Sequence, residues 1–268
     1  GLQAQGAGRD RGLEGLAGIG GPEGAGRRSG RERVREPHHV VDEGRRETEV
    51  DQPPPALTAV DEVHETARGI GCINTIVNND GRLVGYNADG AGAVGALREA
   101  NAAPEGKKVL MLGSGGAARA IAMTLARQGA ARIAIANRTA ANAHALAVDV
   151  NAQGRDCCQA VPLAPDALKV ALRHTDILVN TTSVGMHPRE GECPIPDHVL
   201  PGGLVVCDIV YNPRQTRLLN IARQKGCRLV EGLGMLVYQG AVGFQMWTGL
   251  EAPVEAMFDA ISRVSSPK

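Results

Sequence analysis

Aromatic side chains are scarce: one Trp, three Tyr and two Phe in 268 residues, which leaves any core to Ala, Val, Leu and Ile. Net charge is absent too. Lys+Arg and Asp+Glu both number 29, so there is no overall field to draw a nucleic acid or an anionic membrane, and neither is an expected partner. No apolar run approaches the roughly 20 residues that span a bilayer. No charged-then-apolar signal segment opens the chain, so a cytoplasmic location is expected. The six cysteines, Cys72, Cys157, Cys158, Cys193, Cys207 and Cys227, form no C-x-x-C pair. They are expected to be reduced and mostly buried, with neither a zinc site nor a disulfide frame. No lysine occurs before Lys107. The length allows one large or two modest domains.

Residues 1–58 differ from the rest. They hold twelve glycines and nine arginines among ten acidic residues, with no lysine and no aromatic, so the interleaved acids cancel any phosphate-binding field. Runs such as GRRSGRERVREP show neither helical nor strand periodicity, and such a segment buries too little apolar surface to offset its ordering entropy. It is expected to be disordered. His38-His39 has no third ligand nearby, and no metal is assigned to it.

Lys107–Arg119, KKVLMLGSGGAAR, is the stretch around which the rest of the chain is organised. Val109-Leu110-Met111-Leu112 reads as a buried parallel strand. It breaks at Gly113-Ser114-Gly115-Gly116-Ala117-Ala118, and AARAIAMTLARQG continues at helical spacing. Gly113 permits a tight turn, Gly115 a close backbone approach to a pyrophosphate, and Ala118 the packing of helix on strand. The helix N-terminus offers free N–H groups and partial positive charge. The next strand, Arg132–Ala136, ends in Asn137-Arg138-Thr139, with an arginine and a hydroxyl where an NAD site usually has a carboxylate. A guanidinium matches a 2′-phosphate, so NADP is favoured over NAD; the alternative is a solvated Arg138 at a strand end.

Order is predicted to begin near Val60, with VDEVHETARGIG a helix ended by glycine. Ile73–Val77 and Arg82–Tyr86 alternate around Asn79-Asp80-Gly81, a hairpin signal. Asn74-Thr75 and Asn87-Ala88-Asp89-Gly90 then stand at strand ends, beside the long helix AGAVGALREANA. AANAHALAVDVN reads as a helix, and DILVNTT and LVVCDIVY as buried strands. Asn180-Thr181-Thr182-Ser183 closes the first of these two, where open α/β sheets bind ligands. Tyr211-Asn212-Pro213 ends the second, and Thr216-Arg217-Leu218-Leu219 opens a helix. Gly232-Leu233-Gly234-Met235 reads as a glycine turn before a helix carrying Gln239, and the remainder is predicted helical. Met235 is either core or a cover for a cofactor ring.

GCINTI, GYNADGAG, GSGGAAR, NRT, NTTSVGM, CDIVYNPRQTRLL and GLGMLVYQG, in this order, resemble the shikimate/quinate dehydrogenases from about Val60 to the C-terminus. The resemblance implies reversible NADP-linked reduction of 3-dehydroshikimate to shikimate, in chorismate and aromatic amino-acid biosynthesis. Quinate with NAD, or an inactive NADP-binding protein, are the alternatives. It implies cofactor contacts from Gly113, Ser114, Gly115, Gly116, Ala117, Asn137, Arg138, Thr139, Thr181, Thr182, Ser183, Gly232 and Met235. Substrate contacts fall to Asn74, Asp89, Tyr211 and Gln239; amides both donate to and accept from hydroxyls. Asp89 reads as a helix cap on spacing alone; the resemblance makes it the partner of a catalytic lysine. The C-terminal helices are implied to fold back on the first domain. A homodimer is compatible with the sequence but not dictated by it.

The departures are specific. The resembled family carries Asn-Val-Thr-x-Pro-x-Lys just upstream of its Asn-Thr pair, whereas Val50–Ala59 reads VDQPPPALTA. Two carboxylate-binding serines near the family's N-terminus have no counterpart, Ser29 being the only serine of the head. Ala88 stands where threonine is usual, and Asn142 where a second arginine is common. The abrupt onset of the match is what an out-of-frame head would give; a degenerate member that keeps cofactor binding alone is the competing reading. The expected architecture is α/β: a doubly wound (Rossmann) NADP domain over 93–234, and an incomplete α/β substrate domain over 59–92 completed by the helices of 235–268.

Overall fold

The computed structural model describes residues 55–264. The readings placed on residues 1–54, including disorder or a shifted frame, Ser29 and His38-His39, lie outside the described residues. The last four residues of the head, Pro55–Thr58, form a short helix, α1, where no element was expected; Pro55 is its first residue, a position where the missing N–H costs nothing.

The helix predicted over Val60–Gly71 is split. Its first part is a two-residue strand, β1 (Glu62–Val63), and only Glu65–Arg68 is helical, α2. His64 causes the break: its side chain accepts from the Thr66 N–H and caps α2, leaving Glu62 and Val63 extended. Strands β2 (Thr75–Asn79) and β3 (Arg82–Tyr86) form the predicted hairpin. Asp80 and Gly81 both have positive φ, 51° and 98°, as a two-residue turn matched to strand twist requires. β1 joins β3 in parallel, giving a three-stranded sheet of order β1-β3-β2.

Helix α3 (Asp89–Glu99) leads into a second sheet. Its elements are β4 (Lys108–Leu112), α4 (Gly116–Arg127), β5 (Arg132–Ala136), α5 (Ala140–Asn151), β6 (Cys158–Val161), α6 (Pro165–Leu172), β7 (Ile177–Asn180), β8 (Val205–Asp208), α7 (Arg217–Gln224) and β9 (Arg228–Val230). All six strands are parallel, in the order β6-β5-β4-β7-β8-β9. The four inner strands, β5, β4, β7 and β8, are buried on both faces, so they read as apolar runs. Val109 and Met111 face the core shared with α3, α4, α5 and the C-terminal helices, while Leu110 and Leu112 face α6 and α7. β6, α6 and β9 lack a strong sequence signal and were not anticipated.

The chain ends in α8 (Gly232–Thr248) and α9 (Val254–Val264). Gly249, at φ 68°, closes α8 in the left-handed conformation and separates it from α9, so the C-terminal region is helical as expected. The second half of α8 lies on the small sheet: Val242 and Met246 pack with Val77, Val84 and Tyr86, and the Trp247 indole N–H donates to the Ile76 carbonyl at 2.9 Å. Divisions at 92/93 and 234/235 pass through α3 and α8, the helices that join the two sheets. All six cysteines are free; Cys158 and Cys207 are buried, whereas Cys72, Cys157, Cys193 and Cys227, which lie outside the strands and helices, are only half-buried, so most are less buried than expected. Among the described residues no helix is long and apolar enough to cross a membrane.

Candidate active site

The chain leaves β4 toward β5 and leaves β7 toward β8 on the opposite side, so a crevice opens at the C-terminal ends of these neighbours. Gly113 follows β4 at φ 107°, and a Cβ there would lie 2.6 Å from the Thr181 hydroxyl, so only glycine makes this turn. Gly115 is the N-cap of α4, and no atom lies within 4 Å of where a Cβ would stand on Gly115 or Gly116. The Arg119 N–H bonds the Gly115 carbonyl at 2.9 Å, leaving the N–H groups of Gly116, Ala117 and Ala118 without an intrahelical acceptor. Ser114 is half-buried beside them and Ala118 is fully buried. This open, N–H-lined turn fits a pyrophosphate.

At the end of β5 the Asn137 side chain donates to the Thr139 carbonyl at 3.1 Å. Arg138 and Thr139 are exposed. Thr139 is the N-cap of α5 but makes no side-chain cap bond, which leaves its hydroxyl available. Beyond β7 the hydroxyls are committed to the scaffold. Thr181 donates to the Leu112 carbonyl at 2.6 Å, and Thr182 to Asn180 Oδ1 at 2.7 Å, whereas Ser183 is exposed at the rim. Tyr211, after β8, is 49% exposed.

Gly232 to Met235 form the first turn of α8, with Glu231 as N-cap, and not a turn preceding it. The signal was misread because Gly232 is needed for packing: a Cβ there would lie 2.5 Å from both the Ile209 and Val210 carbonyls. Met235 is 8% exposed and joins the core beneath α3 and α8.

A second polar cluster gathers at the start of α3. Asp89 is its first helical residue and Ala88 the N-cap, with no side-chain bond, so Asp89 is not the cap that its spacing offered. Asn87 does that work: its Oδ1 accepts from the Asp89 N–H at 3.0 Å while its amide donates to the Cys72 carbonyl at 3.2 Å. Asn74 holds the same turn, accepting from the Ala88 N–H at 2.9 Å and donating to Asp89 Oδ1 at 2.8 Å. Gln239, half-buried on α8, abuts Gly92, where a Cβ would come within 2.8 Å of its backbone N. Asn87 was missed as a site-builder, although its place one residue before an uncapped helix start was a readable signal.

Burial pushes the Asp89 carboxyl up, opposed in part by the Asn74 hydrogen bond. The folded state therefore holds this proton more tightly than the unfolded chain, and stability falls as pH rises from the unfolded value of about 3.9 through the raised folded one. Asp89→Asn should raise stability at neutral pH by about 1 kcal/mol, and the gain should vanish in acid below both values. Thermal melts across pH check this; a gain that persists in acid would show that ionisation of Asp89 is not its source.

Among the described residues no lysine stands at this cluster. Lys107 and Lys108 are at the opposite, N-terminal end of β4; Lys169 is on α6; and Lys225 donates to the Asp197 and Leu200 carbonyls, both at 2.6 Å. Lys268 lies outside the described residues. Among the described residues no three His, Cys, Asp or Glu come together as a metal site.

Over residues 96–188 the chain matches the Shikimate / quinate 5-dehydrogenase family, and over 232–261 the Shikimate 5'-dehydrogenase C-terminal domain. It is 45% identical over 203 residues to a shikimate dehydrogenase (NADP(+)) of Moorella thermoacetica, an alignment covering 76% of this chain and 68% of that protein. The fold is similar to that of the shikimate 5-dehydrogenase of Listeria monocytogenes in complex with shikimate and NAD, with a TM-score of 0.73, 37% identity, and coverage of 77% of this chain and 73% of that one. The Thermus thermophilus shikimate 5-dehydrogenase in complex with NADP(H) and shikimate gives a TM-score of 0.69 at 36% identity, covering 78% and 74%. The chain belongs to the shikimate dehydrogenase family.

Proposed function

We propose that this chain is an NADP-linked shikimate dehydrogenase that interconverts 3-dehydroshikimate and shikimate, a step toward chorismate and the aromatic amino acids. One observation carries the reading. The phosphate-cradle helix α4 and the carboxylate-bearing helix α3 meet at Gly90, where a Cβ would be 2.7 Å from the Ala120 carbonyl. A nucleotide site and a hydroxyl-binding cluster are thus fixed on two touching helices. The nicotinamide, when bound, supplies or takes up the hydride.

The chain's own residues orient and bind. The free edge of Asp89, the second N–H of Asn74 and the amide of Gln239 suit the hydroxyls of a polyol acid. Ser183 and Tyr211 border the crevice beside them, and Arg138 with Thr139 reads the 2′-phosphate. The resemblance assigns proton transfer to a lysine paired with Asp89, and no such lysine stands among the described residues. Without it the chain as written lacks that proton carrier, and its turnover is expected to be slow or absent. We read residues 1–58 as out-of-frame text; translation of the other frames of the encoding DNA tests this, a frame that restores Asn-Val-Thr-x-Pro-x-Lys supporting it. A cytoplasmic location, a small-molecule partner and no nucleic-acid partner complete the reading.

Titration of the purified chain with NADP+ and NAD+ tests the cofactor assignment. Arg138→Ala should weaken NADP+ by at least about tenfold and NAD+ by less than about twofold, the loss of a charge-assisted phosphate contact. An equal loss for both would show that Arg138 is not a phosphate ligand. Shikimate is then added and the absorbance of reduced nicotinamide followed. Bound NADP+ without any reduction would favour the non-catalytic reading, and reduction of NAD+ with quinate alone would favour the quinate enzyme.

A further inference from the structure

Among the described residues, one buried carboxylate of the large sheet pairs with no cation. Asp208, the last residue of β8, is 0% exposed, and so is Asn180, the last residue of β7. Asp208 Oδ1 accepts from Asn180 Nδ2 at 2.9 Å and from the Val210 N–H at 3.1 Å; Oδ2 accepts from the Thr216 hydroxyl at 2.7 Å. Thr216, itself buried, is the N-cap of α7 and accepts from the Leu219 N–H at 3.2 Å. Burial pushes the Asp208 carboxyl up while these three donors pull it down.

The network reaches the crevice through Asn180. With one amide N–H held by Asp208, Asn180 turns its Oδ1 to the next turn, accepting from the Thr182 N–H at 3.1 Å and hydroxyl at 2.7 Å. Thr181 in the same turn bonds the Leu112 carbonyl through both its N–H, at 2.9 Å, and its hydroxyl. That hydroxyl is also the atom nearest the missing Cβ of Gly113. In a doubly wound sheet the half beyond the switch point, here β7-β8-β9, receives the second mononucleotide, and β4-β5-β6 the first.

We propose that Asp208 is a positioning residue for the nicotinamide end of the crevice, acting through Asn180 on the Thr181–Ser183 turn. The proposal rests on the reading of this crevice as a dinucleotide site. An Asn180 amide without its acceptor is free to rotate, and a rotated amide presents N–H groups to the Thr182 N–H, two donors face to face. The turn then loses its register, while the adenosine end, built by β4, α4 and β5, keeps its own.

The test compares two ligands on the full chain by calorimetry: NADP+, which spans both ends, and adenosine 2′,5′-bisphosphate, which occupies only the first. Asp208→Leu, close in size and with no acceptor for Asn180, should weaken NADP+ by about tenfold and the bisphosphate by less than about twofold, the scale of one lost buried hydrogen bond to a charged group. Asp208→Ala, which also lacks an acceptor, serves should Asp208→Leu not fold; it should move the same ratio in the same direction, and Asp208→Asn, whose amide oxygen can still accept from Asn180, should restore it. A purely structural role would lower the melting temperature without moving the ratio, and an unchanged ratio overturns the proposal. Wild-type protein that binds the bisphosphate but gains nothing from the nicotinamide half overturns it as well. Wild-type protein that binds neither ligand overturns the dinucleotide reading, and the proposal with it.

Discussion

Gly115→Asp should abolish NADP binding while leaving the fold as stable as before, or slightly more so. The open space around the missing Cβ and a φ of −76° mean that the new side chain meets no steric or backbone penalty. It also lands on the N-cap of α4, where aspartate is among the preferred residues and gains about 0.3 kcal/mol over glycine. Its carboxylate accepts the N–H groups of Ala117 or Ala118, the same donors the pyrophosphate needs. The substitution therefore installs an internal competitor, and adds repulsion of about 1–4 kcal/mol for each close phosphate charge. An affinity loss above about 100-fold with an unchanged melting temperature is expected. Unchanged nucleotide affinity would refute the cradle.

Gly232→Ala should do the opposite, damaging the fold first. A methyl group 2.5 Å from two backbone carbonyls cannot be relieved by a rotamer change; the start of α8 must move off the Ile209-Val210 segment. The cost is about 3 kcal/mol, at the upper end for overpacking, or roughly 10 °C in melting temperature for a domain of this size. Denaturation followed by circular dichroism, without any ligand, measures it. If Gly232 is glycine only to let a cofactor approach, the apo melting temperature will not change and affinity alone will fall.

These two glycines show what was legible. The strand–turn–helix of Val109–Arg119 announced itself because its local signals and its tertiary role coincide: an apolar run, glycines where the turn needs them, then helical spacing. The Asp80-Gly81 hairpin was legible for the same reason. Gly232 was misassigned because glycine for a turn and glycine for close packing are identical in one dimension. The Val60–Gly71 segment has helical spacing, yet a capping histidine and the pull of β3 outweigh it. Thr216 was read only as the opening of a helix and Asp208 passed unremarked in CDIVYNPRQTRLL, since nothing in the residues between them says that a carboxylate and a hydroxyl will meet at 2.7 Å. Asp89 was placed correctly in the chain, but its neighbour Asn87, not Asp89 itself, secures the helix start.

The glycine contacts of α3 carry a consequence for how the specificity of such a protein can be changed. Gly90 locks this helix to α4, and Gly92 and Gly95 lock it to α8, where Cβ atoms would come within 2.8 Å of Gln239 and Tyr238. Asp89 and Gln239 therefore share a frame with the nucleotide turn, and their distance from it is set by the close approach of α3 to the Ala120 carbonyl, the α8 backbone and the Tyr238 ring. The β2-β3 hairpin is held to that frame by smaller means: the Asn74 and Asn87 side chains, the Trp247 indole, and a few apolar residues. Loop grafts and residue swaps on the hairpin can thus reshape the outer wall of the cleft and select among polyols, while the spacing between nucleotide and carboxylate stays as the glycines set it.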